Sequence, residues 1–273
     1  MTQPAVSQQL RLLEREAGVP LLLRSSRGVT LTEAGELLLA RADAVASQLH
    51  MAEEELSSVA NLRAGRVRLV AFPSAAAALV PDALHELRAR HPRIEVTMVE
   101  AEPPEAWTAV REGEADVGLV FGYDGPPPDD GELVWFPLGV EPLYLVLPPD
   151  HPGTAEPSSG WLAGETWIAG CERCRQHLVE RCRAEGFEPR LTHESDDYVV
   201  VQNLVARGLG ITVLPRLALQ AFRHPDVVVR PITSFGERHV GLVHRPGAGD
   251  VPATRAAVDQ LRSATARLSP LIA

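Results

Sequence analysis

Apolar positions recur at helical spacing twice within the first sixty residues, with different consequences each time. Val6, Leu10, Leu13 and Ala17 fall at intervals of 4, 3 and 4, which predicts an amphipathic helix with one buried stripe. The helix spans Thr2 to Glu16. Thr2 is a good N-cap, Pro4 sits in the first turn, where its missing N–H costs nothing, and Gly18 stops the run. Gln3, Ser7, Gln8, Arg11 and Arg15 occupy the rest of its surface. The segment "VPLLLRSSRGVTLTEAG" then reads as a strand from Leu21 to Arg24, a tight turn from Ser25 to Gly28, a strand from Val29 to Leu31 and a helix N-cap at Thr32. From Glu33 to about Ala60 there is no proline, and Leu38, Ala42, Val45, Leu49, Ala52, Leu56 and Val59 alternate at spacings of 4 and 3. That is an a/d seam over three heptads, and it predicts a long helix that pairs with a second copy through Leu38, Val45, Leu49 and Leu56. The competing reading is a long helix buried against its own domain. "NLRAG", residues 61–65, reads as a joint.

Beyond Gly65 the period changes. "RVRLVAF", a helix through "SAAAALVPDALHELRARHP", "IEVTMVEA", a helix through "PPEAWTAVREGEA" and "DVGLVF" form one βαβαβ unit. "ETWIAG", a helix through "CERCRQHLVERCRAEG", "PRLTHES", a helix through "DYVVVQNLVARG" and "GITVLP" form a second. Alternating strands and helices predict parallel sheets covered on both faces. "EPLYLVLP" bridges the units, "DVVVRPI" and "ERHVGLVHR" return to the first, and a helix from about Val251 to Leu268 closes it. Two such units with two crossings make a hinged, bilobal binding module.

The 273 residues suffice for two modest domains with ample core. No apolar run is long enough to span a bilayer, and the N-terminus lacks the charged and apolar regions of an export signal, so a cytoplasmic protein is expected with no membrane partner. The net charge of −10 argues against a chain that coats nucleic acid at large. The charge is uneven, however. Residues 1–30 carry Arg11, Arg15, Arg24 and Arg27 against Glu14 and Glu16, which leaves an excess of positive charge on the head and an acidic body. A helix followed by a hairpin tipped with arginines fits the second half of a winged helix-turn-helix. Gln3, Ser7 and Gln8 would then face base edges, and Arg11, Arg24 and Arg27 would face phosphates. An amphipathic helix with an ordinary surface hairpin is the competing reading.

The residues themselves sharpen this. Thr2-Gln3-Pro4-Ala5-Val6-Ser7, Leu13-Glu14, Gly18-Val19-Pro20-Leu21 and Leu31-Thr32-Glu33-Ala34-Gly35 closely resemble the DNA-binding segment of LysR-type transcriptional regulators. The resemblance implies an α/β chain with a partial winged helix-turn-helix (1–31) and a linker and dimerisation helix (32–61). A bilobal, periplasmic-binding-protein-like (type 2) effector-binding domain (62–273) follows, its lobe I at 66–138 plus 225–273 and its lobe II at 139–224. It implies promoter DNA, a small-molecule effector and a second copy as partners, as a homodimer or a dimer of dimers. Neither a cofactor nor a metal is implied. Thr2, Gln3, Pro4, Ser7, Gln8, Arg11, Arg24 and Arg27 are the expected DNA contacts. Relatives carry two further helices ahead of this point, so the expectation is that the stripe of Val6, Leu10 and Leu13 loses burial and that the chain as written binds DNA poorly. The alternative is a ligand-sensing dimer that modulates full-length relatives by mixed pairing. An enzyme is disfavoured, because the chain has no Gly-x-Ser-x-Gly elbow, HExxH or P-loop.

In open α/β sheets, ligands settle where strands end and helices begin. Those junctions nominate Ser74, Glu102, Tyr123, Arg173, Ser195 and Asp196 for the effector. Competing roles are helix capping for Ser74, Ser195 and Asp196, solvation for Glu102 and hinge cover for Tyr123. The set is more acidic than basic, which favours a polar or cationic effector.

All three cysteines lie in "CERCRQHLVERC", which with His177 spells C-x2-C-x2-H-x4-C and invites a zinc reading. On one helix, Cys171 and Cys182 stand about 16 Å apart along the axis, too far to share a metal. Cys174, Leu178 and Cys182 share a face suited to packing. Cys171 and Cys174 form a Cys-x-x-Cys pair at a helix N-terminus, where the dipole lowers a thiol's pKa, so structural packing, a thiol-redox or effector-contact role and a metal all stay open, packing being the first reading.

Overall fold

The computed structural model describes residues 3–25, 28–60, 65–127, 131–152 and 159–267. Helix α1 (Gln3–Ala17) ends at Gly18, whose φ of +72° and N–H bond to the Glu14 carbonyl (3.1 Å) are those of a left-handed C-terminal stop. Strands β1 (Leu22–Ser25) and β2 (Gly28–Leu31) pair antiparallel, Leu22 opposite Leu31. The Glu14 carboxylate ties this hairpin to the helix by accepting from the Leu21 and Leu22 N–H groups at 2.9 and 3.1 Å. Thr32 caps the next helix as expected, its Oγ1 accepting from the Gly35 N–H at 3.0 Å. The α1 stripe is not buried. Val6 and Leu13 are 42% and 41% exposed, Ala17 is exposed and Leu10 is half-buried, because the hairpin contacts the helix through Glu14 and not along this face.

Helix α2 (Glu33–Ala60) is continuous over 28 residues and docks on the body of the chain near its middle. Ser47 is buried and donates to the Gly113 carbonyl at 2.7 Å, and one turn on Met51 lies 3.1 Å from an Arg245 amine. Gly113 has a φ of +81° and faces Ser47 so closely that a Cβ there would meet its hydroxyl, so the docking position requires glycine twice over.

The first unit comprises β3 (Gly65–Ala71), α3 (Pro73–Ala78), α4 (Val80–Arg90), β4 (Ile94–Glu100), α5 (Pro103–Glu112) and β5 (Val117–Tyr123). Strand β3 runs parallel to both β4 and β5. The single helix expected between β3 and β4 is two, broken at Leu79. Pro81 lacks the N–H that an unbroken helix would use, and it suits the first turn of α4 instead. Strand β6 (Val134–Leu147) is much longer than the expected bridge and serves both units. Its first part pairs with β11 (Glu237–His244) and its last part with β9 (Thr212–Pro215) and β10 (Val228–Pro231).

The second unit contains α6 (Ser159–Leu162), β7 (Thr166–Ala169), α7 (Glu172–Ala184), β8 (Arg190–Glu194), α8 (Tyr198–Ala206), β9 and α9 (Arg216–Ala221). Strand β10 belongs here too, which corrects the expectation that it returns to the first unit. It pairs with Tyr144–Leu147, and Val229 is buried with Tyr144, Val146 and Ile168. The return is made by β11, which lies between β5 and β6, and α10 (Pro252–Ala266) closes the first unit. Each unit has its own core. Val67, Leu69, Leu119, Leu242 and Leu261 pack in the first, while Leu145, Leu147, Trp167, Leu178 and Phe235 pack in the second, each large side chain contributing about 1.5–3 kcal/mol by leaving water.

Candidate functional site

The two units face each other across a cavity of about 40 Å³, room for roughly three water-sized molecules. Four of the six nominated residues line it. Glu102 precedes α5, Tyr123 ends β5, and Ser195 and Asp196 lie between β8 and α8. Cys171, Cys174, His177, Tyr198, Thr212 and Arg238 complete the polar lining, with Leu143, Leu178, Val201 and Phe235 among the apolar part.

Ser74 and Arg173 are not among the lining residues. Ser74 is fully buried, and its hydroxyl accepts from Arg238 at 2.9 Å, so it positions a cavity residue instead of facing a ligand. Arg173 lays its guanidinium 5.4 Å from the Phe121 ring centre, with its Nε buried and unpartnered. The capping roles also fall differently. Asp197 caps α8 by accepting from the Val199 and Val200 N–H groups, and the Ser195 hydroxyl accepts from the Asp197 N–H at 3.2 Å.

Arg238 is the buried cavity-lining residue that the junction rule missed. It is 1% exposed, opposite Glu141 in the β6–β11 register, and its Nε donates to the Glu141 carboxylate at 2.8 Å. Its guanidinium also lies 4.2 and 5.2 Å from the ring centres of Phe121 and Phe72. Burial works most strongly against its charge, but the Glu141 carboxylate together with Tyr123, Tyr198 and Cys174 outweighs it and keeps the arginine protonated. A signal for it did exist in the sequence: Arg238, Val240 and Leu242 share one strand face, and a charge on an apolar face needs a partner.

Across the cavity, Tyr123 stacks flat on His177, with ring centres 3.6 Å apart and planes 4° from parallel. His177 Nε2 donates to the Phe235 carbonyl at 2.7 Å. Burial pushes its pKa down, and it pushes that of Glu102 up, while one Glu102 oxygen is left buried without a partner. These two groups act on stability with opposite signs. The unfolded chain binds a proton on His177 more readily than the native one, so the native state loses stability as pH falls below about 6.5. Glu102 holds its proton longer when folded, so its contribution is lost as pH rises through its raised pKa. A His177→Gln variant isolates the first effect: its unfolding free energy relative to the parent rises as pH drops from 7.5 to 5.0 in urea titrations. A pH-independent difference would show that His177 is not held neutral.

Of the expected DNA contacts, Gln3 and Pro4 lie in α1 and Arg24 in β1, while Ser7 is half-buried and Gln8 and Arg11 are exposed on α1. Thr2 and Arg27 lie outside the described residues. On α2, Val45, Leu49 and Leu56 are 59%, 62% and 71% exposed, whereas Leu38 is half-buried. Leu37 and Leu39 are also exposed, so the apolar surface is broader than the narrow seam at its N-terminal end.

This architecture matches known proteins over nearly its whole length. The LysR substrate binding domain model matches residues 60–266, and the lysR-family bacterial regulatory helix-turn-helix model matches residues 1–36. The chain belongs to the LysR family of transcriptional regulators. The Hca operon transcriptional activator HcaR of Escherichia coli K12 is 33% identical over 238 residues, covering 85% of this chain and 78% of HcaR. The DNA-binding transcriptional dual regulator OxyR of the same organism is 30% identical over 255 residues, covering 91% and 82%. Among solved structures, a full-length OxyR variant from Pseudomonas aeruginosa superposes with a TM-score of 0.72 at 26% identity, covering 98% of this chain and 87% of that one. The helix-turn-helix match begins at residue 1 and gives no support to the expectation of impaired DNA binding by this LysR-type regulator.

Proposed function

We propose that the cavity between the two units is the effector site of this LysR-type DNA-binding regulator, and that its occupancy sets how paired α1 helices engage a promoter. The observation that carries the reading is the composition of the walls: Glu102, Tyr123 and Arg238 come from the first unit, while Ser195, Asp196 and Tyr198 come from the second. A ligand touching both sides alters their closure, provided that it binds the open and closed arrangements unequally. Glu102 and Asp196 suit a small polar molecule that brings hydrogen-bond donors, with Tyr123 and Ser195 fixing its orientation. Ser74 and Arg173 support the walls from behind.

The exposed seam of Val45, Leu49 and Leu56, with Leu38 at its start, pairs two copies as a homodimer, which in turn pairs into tetramers. That arrangement presents Thr2, Gln3, Pro4, Ser7, Gln8, Arg11, Arg24 and Arg27 from each copy to half-sites on DNA. The protein is not an enzyme in this reading, and it works in the cytoplasm, where promoter DNA is. Among the described residues no helix is long and apolar enough to cross a membrane.

The test is a thermal-shift screen of the full chain against small amines, amino acids and carboxylic acids, followed by promoter binding with each hit. A site ligand at 100 times its Kd adds about 2.7 kcal/mol of stability. The shift is expected to fall at least tenfold in ligand affinity with Asp196→Ala and with Tyr123→Phe. A hit whose affinity neither variant changes places the effector elsewhere.

A further inference from the structure

Two of the three cysteines face the cavity and the third does not. Cys182 is fully buried in the second core with Trp167 and Leu178, where burial pushes its thiol up to about 12. Cys171 caps α7 and Cys174 follows one turn later, and both line the cavity. Their sulfurs are 2.9 Å apart. A disulfide bond is about 2.0 Å long, so bonding needs a shift of about 1 Å within a single helical turn. Gly170 leaves room for this arrangement, since a Cβ there would come within 3.3 Å of the Cys174 Cβ.

The two thiols are also chemically unequal. The Cys171 thiol donates to Cys174, and with the Arg238 charge and the Tyr123 hydroxyl it pulls the Cys174 pKa down against the opposing effect of burial. Cys171 is driven the other way, by that same donated hydrogen bond, by burial and by the charges of Cys174 and Glu102. Cys174 is therefore the more readily ionised of the two sulfurs and Cys171 the one that keeps its proton longer, which is the division that two-step thiol oxidation uses. A chelate is a poorer fit, because among the described residues no three His, Cys, Asp or Glu side chains gather closely enough to hold a metal ion. In this arrangement of the two units, the cavity admits an oxidant of only a few atoms.

We propose that Cys171 and Cys174 are a reactive dithiol that a small hydroperoxide oxidises to a disulfide inside the cavity. The Cys174 thiolate attacks the terminal peroxide oxygen, the O–O bond breaks, and Cys174 becomes a sulfenic acid. The departing oxygen takes up the proton that Cys174 had released and leaves as water or an alcohol. Cys171 sulfur then attacks the Cys174 sulfur and expels hydroxide, which receives the Cys171 proton to give water. Glu102, which lines the same cavity and whose charge acts on Cys171, is placed to carry that proton. In sum, two thiols and one hydroperoxide give one disulfide, one water and one water or alcohol (two electrons pass from sulfur to oxygen). Oxidation also ties up the Cys174 sulfur on which Tyr123 and Arg238 act from the other side of the cavity, so it weakens the contact between the units.

The experiment treats the reduced full chain with one equivalent of hydrogen peroxide, quenches with N-ethylmaleimide in denaturant, and reads intact mass and tryptic peptides. Trypsin cuts after Arg173, between the two cysteines, so the dipeptide of Cys174 and Arg175 stays attached to the peptide ending at Arg173 only when the bond has formed. The expected result is one maleimide adduct, on Cys182, with loss of the other two thiols at least tenfold faster in the native chain than in denaturant. Tert-butyl hydroperoxide is expected to react at least tenfold more slowly than hydrogen peroxide, and Cys171→Ser to stop at a dimedone-trappable sulfenic acid. A native rate no faster than the denatured one, or a bond that includes Cys182, overturns the proposal. No effector enters this test, so its failure and the failure of the effector-site reading are distinguishable.

Discussion

Replacing Arg238 with methionine lowers the free energy of unfolding by about 3–5 kcal/mol, as expected when one member of a buried ion pair is removed. The cost arises from what remains. Glu141 is 1% exposed, and without Arg238 its carboxylate keeps, among the described residues, the Leu217 N–H at 2.9 Å as its one hydrogen-bond donor. Methionine restores some contact with the Phe72 and Phe121 rings, so packing alone predicts a far smaller loss. The double variant Arg238→Met, Glu141→Gln separates charge from packing, because glutamine removes the orphaned charge and keeps an acceptor for Leu217. It is expected to recover at least half of the loss in urea titrations. A single variant within 1 kcal/mol of the parent would mean that the pair is solvated in solution. Ligand affinity is expected to fall in both variants, because Arg238 lines the cavity.

Introducing glutamate at both Leu49 and Leu56 yields a monomer by sedimentation at micromolar concentration and lowers promoter affinity at least a hundredfold. Like charges at facing seam positions oppose pairing, and two linked half-site contacts exceed one by about 10²–10⁴ in avidity. The fold of each subunit is expected to survive. Val45 and Leu49 flank Ser47 but point to the opposite side of α2, and it is Ser47 and Met51 that dock on the body. An unchanged sedimentation coefficient would show that α2 pairs through another face, such as the one carrying Leu37 and Leu39.

Local physics made much of this legible in advance. Gly18 and Thr32 have the stop and cap geometry their residue types demand, and the helix of the α2 seam is continuous where proline is absent. The two βαβαβ units follow from alternating periods, and the place of Glu102, Tyr123, Ser195 and Asp196 around the cavity follows from their position at strand ends. What escaped depends on contacts between distant segments. The Glu141–Arg238 pair spans 97 residues and exists only through the β6–β11 register. The same register problem hid the allegiance of β10, whose apolar pattern fits either sheet. Ser74 has the right address for a ligand contact, yet a residue 164 positions away claims its hydroxyl. The break at Leu79 was readable, since Pro81 was in plain view.

The Ser47–Gly113 attachment has a mechanical corollary. It holds α2 near its middle, and Glu33 lies 14 residues nearer the head, a free arm of about 21 Å. Swinging that arm by about 10° displaces its tip by roughly 3.7 Å, close to the rise of one base pair along a DNA strand. A modest reorientation of the first unit is thus geared up to a one-step change in where the head meets the groove.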